Sequence, residues 1–554
     1  MTSHIAAIGW RKKRSGLRWL VCAGIVATFV GLPLAGLFLQ AIQGSPGLWA
    51  HLISTILPAH LVDTLILLCG VGVVTTVVGT TTAWLVTAYA FPGRRILEWA
   101  LLLPLAVPTY IVAYAYLDIL HPIGSVQGAI RWWLGYSSPR QFRLPDVRSM
   151  TGCILLLGFV LYPYVYIPTR AMFVTQSANL IDAARTLGIS RHGIFWNVAL
   201  PLARPAVAVG VSLALMETLN DVGAAEFLGV RTLTVSIYTT WITRSDLPGA
   251  SQIALLLLLI VVGLVALERW ARRRQRYSAD ARRHRSLKPH CITGIKGMIL
   301  FMLGFTPILI GFAAPALYLV TEALKRVRFA GLSPRLQHEA VNTISLAAIA
   351  TLVTILLGVV IAYTNRLRPG AVSSWSYRLA TMGYAAPGTV VAIGVLIVLA
   401  SVDRFIDRTA LEWFGLSTGL LIMGSGAALI YAYAMRFLAI SAGGIDAGLS
   451  RISLSLDHAS RTLGQSPAGT FRHVHLPLSK AAITAAGLLV FVDCVKELPA
   501  TLLLRPLNVE TFATHLYGEA ARGTYEEASI AALAILLIGM APVILLSRIG
   551  RETR

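Results

Sequence analysis

The stretch DAARTLGISRHGIFWNVALP, residues 182–201, is polar and punctuated by glycine in a chain otherwise built of long apolar runs, and it returns as HASRTLGQSPAGTFRHVHLP at residues 458–477. Aligned without a gap, 11 of 20 positions are identical, among them Arg185 with Arg461, Thr186 with Thr462, Gly188 with Gly464, Ser190 with Ser466 and Pro201 with Pro477. The offset of 276 is close to half of the 554 residues, so the chain reads as a tandem repeat. The likeness extends upstream at an offset of 279: LVDTL at 61–65 answers AVNTI at 340–344, Gly79 falls opposite Gly358, and Pro108 with Ile111, Val112 and Ala113 falls opposite Pro387 with Val390, Val391 and Ala392. A three-residue length difference therefore lies between Pro108 and the polar motif.

Composition sets what surrounds the motif. The chain is 56% hydrophobic and only 13% charged, with a mean hydropathy of +0.71, whereas a soluble domain carries about 25% charged residues. This is the composition of an integral membrane protein. A helical span needs about 20 mostly apolar residues, and roughly a dozen such runs can be placed. They begin near Leu17, Leu61, Leu97, Thr151, Pro205, Ser251, Met298, Val341, Tyr377, Thr418, Ala481 and Ala528.

The net charge of +22 would raise nucleic acid as a partner of a soluble protein. In a membrane protein the location of the charge matters more than its sum. Basic residues cluster at 11–14 (RKKR), 93–95, 269–288, 366–378 and 548–554. With twelve spans and a cytoplasmic N-terminus, every cluster, both motif copies and both termini fall on the cytoplasmic side. The expected surroundings are a lipid bilayer and no nucleic acid. The loop carrying Arg131, Arg140, Arg143 and Arg148 is the exception, expected outside. Cys22, Cys69, Cys153, Cys291 and Cys494 show no paired spacing, which points to neither a disulfide framework nor a metal knuckle. The first apolar run exceeds a signal-peptide core and is followed by a weak cleavage context at Ser45-Pro46-Gly47, so it is expected to remain as a span.

The expected fold is therefore an all-α polytopic membrane protein of about 12 transmembrane helices, arranged as two parallel six-helix repeats, because six spans return the chain to the same side. The expected division is a tail, first span and external loop at 1–60, a first permease domain at 61–268, a basic cytoplasmic linker at 269–297, a seventh span and external loop at 298–338, a second permease domain at 339–547 and a tail at 548–554.

Each motif copy reads as a short helix, a glycine turn and a second short helix outside the bilayer. Gly188 suits the left-handed position that closes a helix. Ser190 can cap the second short helix, and Ser466-Pro467 has the cap-then-proline order of a helix start. Helix-turn-helix is also the shape of a DNA reader, but both copies are tethered tightly between apolar runs. A plain structural elbow and a docking element for a cytoplasmic partner remain, and duplication of the second would give two docking sites.

Asp182-Ala183-Ala184, then Gly188, then Leu200-Pro201 resemble the EAA loop of permease subunits in binding-protein-dependent ABC importers, and the resemblance covers both halves. It implies the type I importer permease fold, in which this loop forms a coupling helix docked into the ATP-hydrolysing subunit. The ATPase-coupling residues it implies are Asp182, Ala183, Ala184, Gly188, Leu200 and Pro201, and in the second copy His458, Ala459, Ser460, Gly464, Leu476 and Pro477. Asp182 stands in the Glu place; His458 does so in the second copy, with Asp457 just before it. The runs METLNDVGAAEFLGV at 216–230 and DCVKELPATLLLRP at 493–506 are similar to the fused two-domain permeases of ferric iron importers and, less closely, to permeases for thiamine, phosphonate and polyamine. The resemblance implies a bacterial inner-membrane pathway for ferric iron, two copies of an ABC ATPase, and a periplasmic or extracellular solute-binding protein. ATP and Mg would sit on the ATPase, leaving this chain without a catalytic residue or cofactor of its own.

Inside the expected spans, Glu217 and Asp221 lie four apart on one helix face, and Asp493, Lys496 and Glu497 occupy the matching place in the second half. Intramembrane ionisable residues face a bundle interior or an aqueous path, or Lys496 pairs with Asp493 to hold helices together. Tyr110, Tyr114, Tyr116, Tyr162, Tyr164 and Tyr166 could line a polar path or pack. Pro104, Pro108, Pro163 and Pro168 interrupt their helices. His473-Val474-His475 is not read as a metal site, because residues two apart on a helix do not share a face. The chain has no G-x-x-x-x-G-K-[ST] phosphate loop. An alternative from another class, a major-facilitator secondary carrier, also has six plus six spans but needs no ATPase, and no facilitator-type loop signature stands between 91 and 98.

Overall fold

The computed structural model describes residues 2–44, 54, 57–175, 184, 186–273, 289–331 and 333–552. Asp182, Ala183 and most of the basic linker lie outside the described residues. In chain order the main helices are α1 (Thr2–Gln43), α2 (Leu57–Ala88), α3 (Thr109–Ile119), α4 (Met150–Leu161), α5 (Pro163–Thr175), α6 (Leu200–Asn220), α7 (Leu247–Arg273), α8 (Gly294–Ile308), α9 (Ala314–Ala330), α10 (Pro334–Leu367), α11 (Gly388–Phe414), α12 (Ala427–Ser450), α13 (Leu454–Thr462), α14 (Leu476–Lys496), α15 (Phe512–Arg522) and α16 (Tyr525–Glu552). Among the described residues 10 helices are long and apolar enough to cross a membrane, or up to 12 if each of two bent pairs counts as one span. The bent pairs are Arg94–Ala106 with α3, turned by 92°, and α4 with α5, turned by 42°. Both breaks fall at proline, Pro108 and Pro163, where a missing N–H and a ring against the preceding turn stop the helix. Pro168, by contrast, lies inside α5 without ending it. Pro108 and Pro387, paired by the repeat, hold the same cap conformation, φ −58 and −55.

The helices gather into two compact units that are not simple runs of sequence. One unit comprises Met1–Trp49, Ile237–Leu258 and Pro334–Thr514. Here α1 packs on α10, α11 and the short helix Ala371–Thr381. The Tyr431 hydroxyl donates to Phe29 O at 2.6 Å, Thr364 donates to Trp19 O at 3.1 Å, and the Trp19 and Tyr363 rings meet edge-on at 5.0 Å. Helices α10 and α12 cross at Gly358, where an added Cβ would fall 2.0 Å from Ser441 Oγ.

The other unit comprises Ala50–Ser236, Leu259–Ser333 and His515–Arg554. Its α2 and α5 cross at Gly79, where a Cβ would meet Val165 Cβ at 2.7 Å. Gly79 with Gly358 and Val165 with Ser441 are repeat partners, so one close helix crossing is built twice, as small residues permit in membranes. Helices α8 and α9, from the later half of the sequence, pack here: Tyr116 donates to Ile310 O at 2.8 Å, Tyr318 donates to Asp118 Oδ2 at 2.8 Å, and Arg326 pairs with Glu527 at 2.6 Å. Helix α2 turns Val62, Val73 and Val77 outward, while its buried Thr75, Thr82 and Thr87 donate to carbonyls four residues back at 2.8, 2.7 and 2.7 Å. That pattern leaves no bare hydroxyl of these three for lipid. The tyrosines resolve toward packing: Tyr110, Tyr114, Tyr162 and Tyr166 are buried, with Tyr162 donating to Leu101 O and Tyr166 to Glu98 O, both at 3.0 Å. The basic loop before α4 uses part of its charge locally, Arg131 donating to Pro122 O at 2.8 Å and Arg143 facing Asp146 at 3.3 Å.

Candidate functional site

Both copies of the polar motif fold into the same turn. Gly188 and Gly464 have φ of +79 and +80, the left-handed region where a Cβ would strain. Around Gly464 the Gln465 N–H donates to Ser460 O at 3.1 Å and the Gly464 N–H to Arg461 O at 3.0 Å, the paired bonds of a Schellman helix end. Ile189 donates to Ala184 O at 3.1 Å, the matching bond in the first copy. The serine after each turn caps the next helix: Ser190 Oγ accepts from Gly193 N at 3.2 Å and Ser466 Oγ from Gly469 N at 3.1 Å. One wide π turn then occupies Phe195–Ala199 and Phe471–His475, and Leu200-Pro201 and Leu476-Pro477 open the long helices α6 and α14. Its first aromatic rests on the end of a crossing helix in both copies, Phe195 on Trp84 at 5.4 Å and Phe471 on Tyr363 at 4.9 Å.

At the apex, just before each glycine, Leu187 is 80% and Leu463 81% exposed. Sequence reasoning missed these leucines, although they are among the positions identical between the copies. Each loop thus presents the same exposed leucine at its tip. Of the remaining motif residues, Ala184 and Ser460 are buried, Ser460 bonded to Thr470 Oγ1 at 2.9 Å, and His458 and Ala459 are exposed. Asp457, the acid just before His458, is turned inward: it is 5% exposed and lies 2.5 Å from Arg366 Nη2 and 2.7 Å from His475 Nε2. It therefore does not stand in for an outward-facing carboxylate.

The acids at the ends of α6 and α14 do not continue the helix. Asp221 and Glu497 come directly after the last residues of α6 and α14 with extended backbone, ψ 115 and 122. Each caps a short helix instead: Asp221 Oδ1 accepts from Ala224 N at 2.7 Å, and Glu497 accepts from Ala500 N and Thr501 N, each at 3.0 Å. Glu497 also holds Arg436 Nη1 at 2.8 Å, at a place where a Cβ on Gly388 would fall 2.3 Å from that nitrogen. Lys496 does pair with Asp493, at 2.8 Å, but within one turn of α14 and not between helices. Glu217 is half-buried on α6.

The chain matches the family described as "Binding-protein-dependent transport system inner membrane component" twice, over residues 75–277 and 354–551. It is 22% identical over 489 residues to the Fe(3+)-transport system permease protein FbpB 2 of Haemophilus influenzae, covering 88% of this chain and 89% of that protein. It is 24% identical over 503 residues to the ferric transport system permease protein FbpB of Actinobacillus pleuropneumoniae, covering 87% and 70%. The molybdenum transport system permease protein ModB of Escherichia coli is 27% identical over 203 residues, only 36% of this chain but 85% of its own length.

Proposed function

The chain belongs to the binding-protein-dependent transport system inner membrane components, as a two-domain permease of an ABC importer, and from that premise we propose that it forms the ferric iron pathway and takes two ATPase subunits on its two duplicated loops. The observation that supports the loops as docking elements is their shared turn with an exposed leucine at each apex. Ferric iron is favoured as cargo because the ferric relatives match across nearly the whole fused chain, whereas the molybdenum relative spans a single half. A solute-binding protein delivers the cargo outside, and ATP and Mg reside on the ATPase. Asp221 and Glu497 act as helix caps within the pathway halves, and Asp182, Ala183 and Ala184 belong to the first coupling loop.

Burying a leucine contributes about 1.5–3 kcal/mol. Leu187→Asp and Leu463→Asp are therefore each expected to weaken ATPase binding to the purified chain by about tenfold or more. Undiminished binding in the double variant would remove the docking role, and a chain that purifies without any ATPase would favour a secondary carrier. Uptake of labelled ferric iron, competed by 2-aminoethylphosphonate or molybdate, tests the cargo.

Orientation has its own test. Cysteines placed at Leu187 and Leu463 are expected to resist an impermeant thiol reagent added to sealed cells and to react once the membrane is opened. Labelling of either site from outside would place the loops on the wrong face for an ATPase.

A further inference from the structure

Three residues behind the second loop form a buried polar cluster, and none of the three repeat positions in the first copy carries an ionisable residue. Arg366, near the end of α10, reaches Asp457 Oδ2 at 2.5 Å, donates to Ile452 O at 2.9 Å and donates to Leu449 O at the end of α12. Asp457 lies in the first turn of α13, and its other oxygen is 2.7 Å from Nε2 of His475, which is fully buried at the head of α14. The cluster thus ties the loop helix to three long helices at once. Applying the repeat offsets of 279 and 276, the positions of Arg366, Asp457 and His475 are Thr87, Ile181 and Ala199 in the first copy. Ile181 is outside the described residues; Thr87 donates its hydroxyl to Ala83 O at 2.7 Å, and Ala199 is buried. All three ionisable groups are present in one copy and all three are absent in the other. That is how a mutually dependent network behaves, since a buried ion left alone costs far more than a network replaced entire.

We propose that Arg366, Asp457 and His475 are positioning residues that fix the second docking loop rigidly to α10, α12 and α14, so that a push on this loop moves those helices directly, while the first loop, lacking all three, rests Ala184 and Ile194 against Trp84 and Val198. This rests on the loops being the ATPase docking elements. Arginine is required at 366 because three acceptors converge on one guanidinium, which a lysine ammonium on its flexible stem does not match.

The test uses the full chain in lipid nanodiscs, alone and with its ATPase. Arg366→Thr or Asp457→Ile alone is expected to speed amide exchange across residues 454–466 by at least about tenfold, because each strands a buried charge; Arg366→Lys should not restore it. The triple variant R366T/D457I/H475A, which gives the second loop the residues of the first, guards against simple misfolding. It should keep parental protection in α10, α12 and α14 while the loop alone exchanges faster, and it should hydrolyse several-fold more ATP per solute moved. A triple variant whose loop exchanges like the parent overturns the positioning role. Absence of ATPase binding by the parent chain would overturn the docking reading instead, and the exchange result, which needs no partner, still judges the cluster.

Discussion

Arg436→Ala is expected to destabilise the protein by about 3–5 kcal/mol, the cost of leaving a buried carboxylate without its cation. The Arg436 and Glu497 side chains are 8% and 2% exposed, and their 2.8 Å contact lies where Gly388 leaves room for it. After truncation Glu497 keeps neutral donors, the Ala500 and Thr501 N–H groups and the Thr501 hydroxyl at 2.8 Å, but loses its cation. The paired change Arg436→Met with Glu497→Gln is expected to recover most of the loss, because the amide still caps and no ion remains. Unfolding midpoints in detergent for both variants measure this. A single-variant loss below about 1 kcal/mol, the level of a surface pair, would mean the pair is not buried as described. The first half is a natural control, since Val160 stands at the repeat position of Arg436 and the acid there is the shorter Asp221.

Gly464→Val is expected to abolish most transport while leaving membrane insertion intact. At φ +80 any L side chain costs about 1–2 kcal/mol, and a β-branched one more. The strain would be relieved by opening the Schellman turn, which displaces Leu463 and moves the cap of the next helix. Gly188→Val should behave alike, with φ +79 in the equivalent turn. Uptake assays paired with ATPase pull-down provide the measurement; normal values in both variants would show that turn geometry does not set docking.

Much of this architecture is legible in the amino-acid order because it is local or duplicated. Apolar run length marks the spans, Gly188 and Gly464 mark left-handed turns, and Ser190 and Ser466 mark caps, each by chemistry confined to a few neighbours. The illegible part depends on distant partners. The capping role of Asp221 is not visible in the helical spacing, because the chain leaves α6 there, four residues after Glu217, and the carboxylate accepts from the next short helix. Asp457 looks available to a partner in the sequence, yet Arg366, 91 positions away, holds it. Leu187 and Leu463 could have been found, since each is a leucine kept in both copies directly before the turn glycine.

The membership of the two units bears on biosynthesis. Gln252 of α7 donates to Ala41 O of α1 at 3.1 Å, but the main helices that α1 packs against begin at Pro334, roughly 290 residues after α1 ends. At about 5–20 residues per second, α1 waits on the order of 15–60 s in the bilayer before these helices exist. During that interval it lacks its main partners, and α2 through α6 can assemble without it. Severing the chain at the basic linker would therefore not yield two self-sufficient halves: the first fragment would carry a helix with no seat, and the second would carry an empty seat and three helices, α8, α9 and α16, that belong to the other unit.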